Sequence, residues 1–152
     1  MRRNDIIMLA GLTTLVSSAI YFLSNKRSRL VKVALGEVGK ARTSVYSLDA
    51  YGSEVDKNWC GIFILWALHQ VGLAKDWKWE VGKGFIYKLN TTLVPKPGDI
   101  AYFNKLNHQA LVKSVEGDNV RLINGNGMNG VVSESLTPKK NVTAFYSIES
   151  LL

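Results

Sequence analysis

Between Cys60 and Val71 the chain reads CGIFILWALHQV, closed by Gly72. No Asp, Glu, Lys or Arg interrupts that run. Its length, with Gly at the end, predicts a buried helix rather than a strand. A helix apolar on nearly every side has to be enclosed, so the rest of the fold must wrap around it. With 152 residues there is material for one domain with a real core, and not comfortably for two.

The sequence around this run divides into two styles. Leu30 to Val38 (LVKVALGEV) places Leu30, Val31, Ala34, Leu35 and Val38 on one face of a second helix, with Gly39 as its stop. Residues 40–58 are rich in Ser, Asp, Gly and Asn and read as loop. Residues 73–94 are irregular and aromatic, with Trp77, Trp79, Phe85 and Tyr87. Pro95-Lys96-Pro97-Gly98-Asp99 is a compact turn, because each proline disfavours helix before it. Beyond it the period becomes two: Ile100–Phe103, Gln109–Val115, Val120–Asn124, Val131–Ser135 and Thr143–Ile148 read as short strands. Helices first and strands later give an α+β domain, a central helix packed on an antiparallel sheet.

At the N-terminus, Ile6 to Leu23 is eighteen residues without a charge. As a helix it would be about 27 Å long, just enough to cross the hydrocarbon core of a bilayer. Arg2 and Arg3 precede it, and Lys26, Arg27 and Arg29 follow, while Tyr21 and Phe22 sit where an interfacial aromatic belt would fall. The alternative is a cleaved signal peptide with Ser17-Ser18-Ala19 as a weak cleavage site. The apolar run continues past that site through Ile20-Tyr21-Phe22-Leu23, which favours a retained single-pass anchor. The expected organisation is therefore an anchor and basic linker over 1–29, with residues 24–29 as the linker proper, and a folded domain over 30–152. Two basic residues precede the run and three follow it, a difference too small to set the orientation, although read literally it places the domain on the cytoplasmic side.

The net charge of +7 raises the question of nucleic acid. Residues 1–29 carry five Lys/Arg against one Asp, and residues 30–152 carry fourteen against eleven. More than half of the excess thus flanks the apolar segment. The folded part has no basic stripe and no nucleic-acid motif, so a nucleic-acid partner is not expected.

A single cysteine permits no internal disulfide, and such a residue is either a buried filler or a reactive thiol. Cys60 stands at the start of the predicted central helix, where the positive end of the helix dipole favours thiolate. Gly61 follows, and its lack of Cβ would leave room for a substrate backbone. His69, nine residues on, would point about 180° away on the same helix, so it cannot serve as base. His108 opens a strand close after the Pro-Gly-Asp turn and is the candidate base. Asn124 and Asn126, in the Ile-Asn-Gly-Asn segment, are the polar groups available to orient its ring. If strands 109–115 and 120–124 pair through a two-residue turn at Gly117-Asp118, position 124 faces away from 108. The catalytic reading therefore demands an odd loop or a bulge in this hairpin. Asp49, Glu54 and Asp56 lack EF-hand spacing and read as a solvated loop rather than a Ca²⁺ site.

Trp59-Cys60-Gly61-Ile62-Phe63 with Trp66, then Pro97-Gly98-Asp99-Ile100, then His108 opening a strand, then Asn124-Gly125-Asn126, resembles the CHAP family of amidohydrolase/peptidase domains. That family belongs to the papain-like group with the NlpC/P60 peptidases. The resemblance runs from about Leu30 to the C-terminus in the family's order of Cys, His and polar residue. It implies a papain-like α+β fold and a Cys60–His108–Asn124 thiol mechanism without metal or organic cofactor. It also implies cleavage of amide bonds in bacterial peptidoglycan, as an endopeptidase or an N-acetylmuramoyl-L-alanine amidase. Many such domains occur in phage lysins and virion-associated lytic proteins, so a bacterial inner membrane and the internal membrane of a phage virion are both expected settings for the anchor. Relatives often carry Glu where this chain has Asn124, and Gln where it has Trp59. The backbone amide of Cys60, with Asn58 and Asn126 as secondary groups, would then bind the oxyanion. The rival reading is a non-catalytic virion or membrane protein that retains the fold.

Overall fold

The Cys60 run is helical, and nine consecutive residues of it, Cys60 to Leu68, are buried. The computed structural model describes residues 26–41, 44–52, 59–79 and 84–152. Ile6 to Leu23, and with them the expected membrane-spanning helix, lie outside the described residues. Among the described residues no helix is long and apolar enough to cross a membrane.

Among the described residues, three α-helices precede the sheet. Helix α1 is described over residues 26–35, α2 is Ser44–Ala50 and α3 is Cys60–Gln70. Residues 26–29, expected as linker, are thus the first described turn of α1. Helix α1 presents Leu30 and Ala34 to the core, both fully buried, as the spacing of its apolar residues required. Helix α2 was expected as loop. It is short and half polar, but Tyr46 and Ala50 lie one turn apart on one face and are both buried. The Tyr46 hydroxyl donates to Glu37 Oε2 at 2.5 Å, tying α2 to the turns after α1.

The six strands are β1 (Asn90–Thr92), β2 (Ile100–Phe103), β3 (His108–Glu116), β4 (Asn119–Asn124), β5 (Ser133–Pro138) and β6 (Ala144–Ser147). They form one antiparallel sheet in the order β1-β6-β2-β3-β4-β5. The alternating segments after the proline turn all become strands. Three-residue β1 is too short to show a period and was not expected. The fifth element begins two residues later than its sequence suggested. Val131 and Val132 instead pair with the end of the α1 region: Gly39 N–H donates to Val132 O (2.8 Å), Val132 N–H to Lys40 O (2.9 Å), and Ala41 bridges Val131.

Ile100, Tyr102, Leu111 and Ile123 line the face on which α3 packs, in one core with Ile62, Phe63 and Leu65. The other face buries Ala101, Ala110, Val112, Val120, Leu122 and Phe145 in a second, smaller cluster. The β3–β4 hairpin pairs Glu116 with Asn119, so its turn has two residues, and Gly117 takes the positive φ (59°) that such hairpin turns demand. Register shifts between Val112 and Ser114, where Lys113 is the extra residue of a bulge. This is the irregularity that the catalytic reading demanded.

Asp99 closes the domain at one end. Its side chain is 1% exposed and accepts from Lys96 N–H (2.8 Å), Ile148 N–H (3.2 Å) and Arg27 Nη1 (2.9 Å). Arg27 also reaches Glu149 Oε2 at 2.9 Å. One buried carboxylate thus joins α1, the proline turn and the C-terminal segment. Asp99→Ala strands two backbone donors and takes from Arg27 the more buried of its two carboxylates, and should destabilise the full chain by about 3 kcal/mol, read as a lower urea midpoint.

Candidate active site

Cys60 is the first residue of α3. The preceding residue, Trp59, offers the helix no side-chain cap, so the first-turn amides are not taken up by a local side chain. Cys60 is 4% exposed yet lines a cleft of about 320 Å³ together with Leu106, Asn107, His108, Asn126 and Gly127. His108 is the first residue of β3 and lines the same cleft as Cys60, where its hydrogen-bonding capacity and charge act on the thiol. Asn124, the last residue of β4, accepts from His108 Nε2 through Oδ1 at 3.0 Å. The bulge at Lys113 makes this possible: with it, Asn124, Leu122, His108 and Ala110 share the sheet face opposite α3.

The hydrogen bonds fix the chemistry of the ring. Asn124 Nδ2 donates to the carbonyl of Ser133 (3.3 Å) and to Ser135 Oγ (3.1 Å). A backbone carbonyl only accepts, so that end of the amide is the NH₂ and Oδ1 faces the imidazole. Oδ1 in turn only accepts, so His108 carries its proton on Nε2. The neutral ring then offers its lone pair at Nδ1, the nitrogen left for the thiol. Strand β5, whose Ser133 pairs with Asn124 and whose Ser135 pairs with Leu122, thereby sets the tautomer from two residues away.

Electrostatics follow the same line. Burial pushes the Cys60 thiol up, but the hydrogen bond and charge of His108, with the backbone N–H groups of Gln109 and Gly61, outweigh it and hold the thiol below its ordinary value. Burial pushes His108 down, but the Cys60 hydrogen bond and thiolate charge, with Asn124, carry it above the ordinary imidazole value. Both shifts favour the thiolate–imidazolium pair.

The remaining expected site residues are placed as follows. Asn126 lines the Cys60 cleft, with its backbone in the left-handed region at φ 53°. Asn58 lies outside the described residues. Trp59 is 4% exposed, stacks on Tyr46 at 5.8 Å and meets Phe63 edge-on at 6.4 Å, so it belongs to the aromatic core. The space over Gly61 is not left for a substrate. A Cβ there would lie 2.1 Å from Trp79 Cζ3, so Gly61 is required because an indole packs against it. His69 sits at the far end of α3, with Nδ1 2.6 Å from Asp49 Oδ2, away from the chemistry as its helical angle dictated. Asp49 accordingly belongs to helix α2, while Glu54 and Asp56 lie outside the described residues. Sequence reasoning missed Asn107, which ends the turn before His108 at φ 45° and walls the cleft. It also missed the orienting role of Ser133 and Ser135, since ordinary serines on an alternating strand carry no signal until the register is known.

Two titrations test this geometry. In His108→Ala, burial of Cys60 is opposed only by two backbone N–H groups, so half-maximal iodoacetamide alkylation should move to higher pH than in the wild type. In Cys60→Ala, His108 loses the thiolate, so its ring resonance should titrate at lower pH than in the intact chain. Separately, Gly61→Ala should displace Trp79, changing its fluorescence and costing about 1–3 kcal/mol of stability.

No curated protein and no solved structure matches the chain. Residues 50–126, which include Cys60, His108 and Asn124, match the model of the CHAP domain. That match spans half of the chain and agrees with the α+β architecture of helices and a six-stranded antiparallel sheet. The chain belongs to the CHAP domain family, a family of cysteine- and histidine-dependent amidases and peptidases whose substrates are peptidoglycan amides.

Proposed function

We propose that this chain is a peptidoglycan hydrolase, an endopeptidase or N-acetylmuramoyl-L-alanine amidase, working by a Cys60–His108–Asn124 thiol mechanism. The observation that carries the reading is the series of hydrogen bonds from Ser133 and Ser135 through Asn124 to His108, which lines one cleft with Cys60. A structural relic of the fold would have no need to fix a histidine tautomer toward a thiol held below its ordinary pKa.

The steps follow from the groups present. Cys60 thiolate attacks the amide carbonyl, and the oxyanion is received at the N-terminus of α3 by the backbone N–H of Cys60. Asn126, across the cleft, is the side chain suited to a second donation, with Asn58 as the other secondary group. His108 Nδ1–H protonates the departing amine, leaving a thioester on Cys60. Water, deprotonated by the same nitrogen, releases the acid and regenerates the pair. Asn124 keeps the ring in one tautomer throughout, and as a neutral partner it stabilises the imidazolium less than a carboxylate would.

Residues 6–23 we assign to a bilayer anchor, holding the domain beside its substrate at a bacterial inner membrane or at the internal membrane of a phage virion. The support is the length of the uncharged run; its flanks, two basic residues before and three after, do not set which side the domain faces. Recovery of the intact protein only in the soluble fraction would remove that assignment.

The decisive experiment is release of muropeptides from purified peptidoglycan by the full chain in mild detergent. Cys60→Ala and His108→Ala should both abolish release, and Asn124→Ala should lower kcat/KM roughly a hundredfold, within the range that general acid–base catalysis supplies. Mass analysis of the products names the bond. No release from any wall type by a folded chain would return the protein to the structural reading.

A further inference from the structure

The Cys60 cleft does not end at the catalytic residues. It shares Leu106, His108 and Gly127 with a neighbouring cavity of about 450 Å³, whose lining includes Ser133, Ser135, Thr137 and the Glu134 carboxylate. That cavity shares Phe103, Leu106 and Thr137 with a third of about 640 Å³, flanked by Lys105 and Lys140. The three form one trough. Its largest part is the end farthest from the nucleophile and contains no group able to do the chemistry, so it is built to hold substrate rather than to cut it.

The lining changes along its length. Beside Cys60 the wall is polar, Asn107 and Asn126, with Leu106 (73% exposed) as its apolar ledge; Met128 (80% exposed) adds a second ledge in the middle cavity. The middle supplies hydroxyls. At the far end stand two ammonium groups, and neither has a carboxylate partner among the described residues. The carboxylate that lines the middle cavity, Glu134, is held by Lys113 at 2.6 Å, outside the trough. Lys105 is three residues from His108, so their backbones are at most about 11 Å apart, roughly three residues of extended peptide.

We propose that this trough binds an acidic peptide, with Lys105 and Lys140 taking a carboxylate two to four residues from the scissile amide. Apolar ledges and hydroxyls suit a peptide backbone with short alkyl side chains, and the paired ammonium groups supply the selection for free acid over amide. The proposal rests on the hydrolase reading for the identity of the scissile bond, but it can be measured without turnover.

The test uses the full chain carrying Cys60→Ala and two synthetic wall peptides of one sequence, one with free carboxylates and one with them amidated. Titration should show about tenfold tighter binding of the free acid, as expected for two partly screened ion contacts. Lys105→Gln/Lys140→Gln in the same background should reduce that ratio to about one, and Lys105→Arg/Lys140→Arg should keep it. High salt should collapse the ratio in the Cys60→Ala chain itself, a readout independent of how the lysine variants fold. Equal affinity for both peptides, or a ratio that survives the Gln substitutions, would overturn the proposal. A chain that prefers the acid but releases nothing from walls keeps this subsite and loses the hydrolase reading. One that hydrolyses walls but binds both peptides alike does the reverse.

Discussion

Everything in this domain is arranged around the burial of α3. Nine successive buried residues cannot be satisfied by one partner, so α1 and α2 cover one side and the sheet the other. Fully burying one large aliphatic side chain is worth about 1.5–3 kcal/mol, and Ile62, Phe63, Ile64, Leu65 and Leu68 are all at 0% exposure. That stabilisation is spread over the helix body, which leaves its first residue free to serve chemistry. Cys60 is positioned by the eight buried residues that follow it, Gly61 to Leu68, and lines the cleft at the start of the helix.

The second arm of the site comes from the sheet by a different kind of determinism. No hydrophobic contact aims His108; hydrogen bonding does. A serine hydroxyl and a backbone carbonyl orient an amide, the amide orients an imidazole, and the imidazole meets the thiol. The Ser133 carbonyl can only accept, which fixes the Asn124 amide and through its Oδ1 the Nε2 proton of the ring. A glutamate at the Asn124 position would reach the same tautomer with a charge. Here the neutral amide needs its own two acceptors, and β5 provides them.

Much of this was legible in the sequence because it rests on strong, local signals. The apolar run fixed α3, alternation fixed β2, β3 and β4, and the helical angle between Cys60 and His69 excluded the wrong histidine. The demand for a bulge could be stated from parity alone, although nothing in Val112-Lys113-Ser114 announces it. What stayed hidden depended on tertiary context. Helix α2 carries too few apolar residues to show a period, and Tyr46 is buried because α3 places Trp59, Phe63 and Trp66 around it. Trp79 comes to rest on Gly61 across a loop, so the glycine that looked like space for a substrate is space for an indole. Arg27 looked like part of a basic flank, yet its guanidinium belongs to the fold through Asp99.

The bulge at Lys113 has an evolutionary consequence. Between His108 and Asn124 the identities of the residues can drift widely, provided that alternate positions remain apolar, but their number cannot. Loss or gain of a single codon in that interval would turn one partner to the α3 face, and a compensating change would have to occur within the same hairpin. Descendants of this gene should therefore vary freely in loop length before Cys60 and after Gly127, while the stretch from base to orienting amide keeps one length, a spacing conserved where the letters are not.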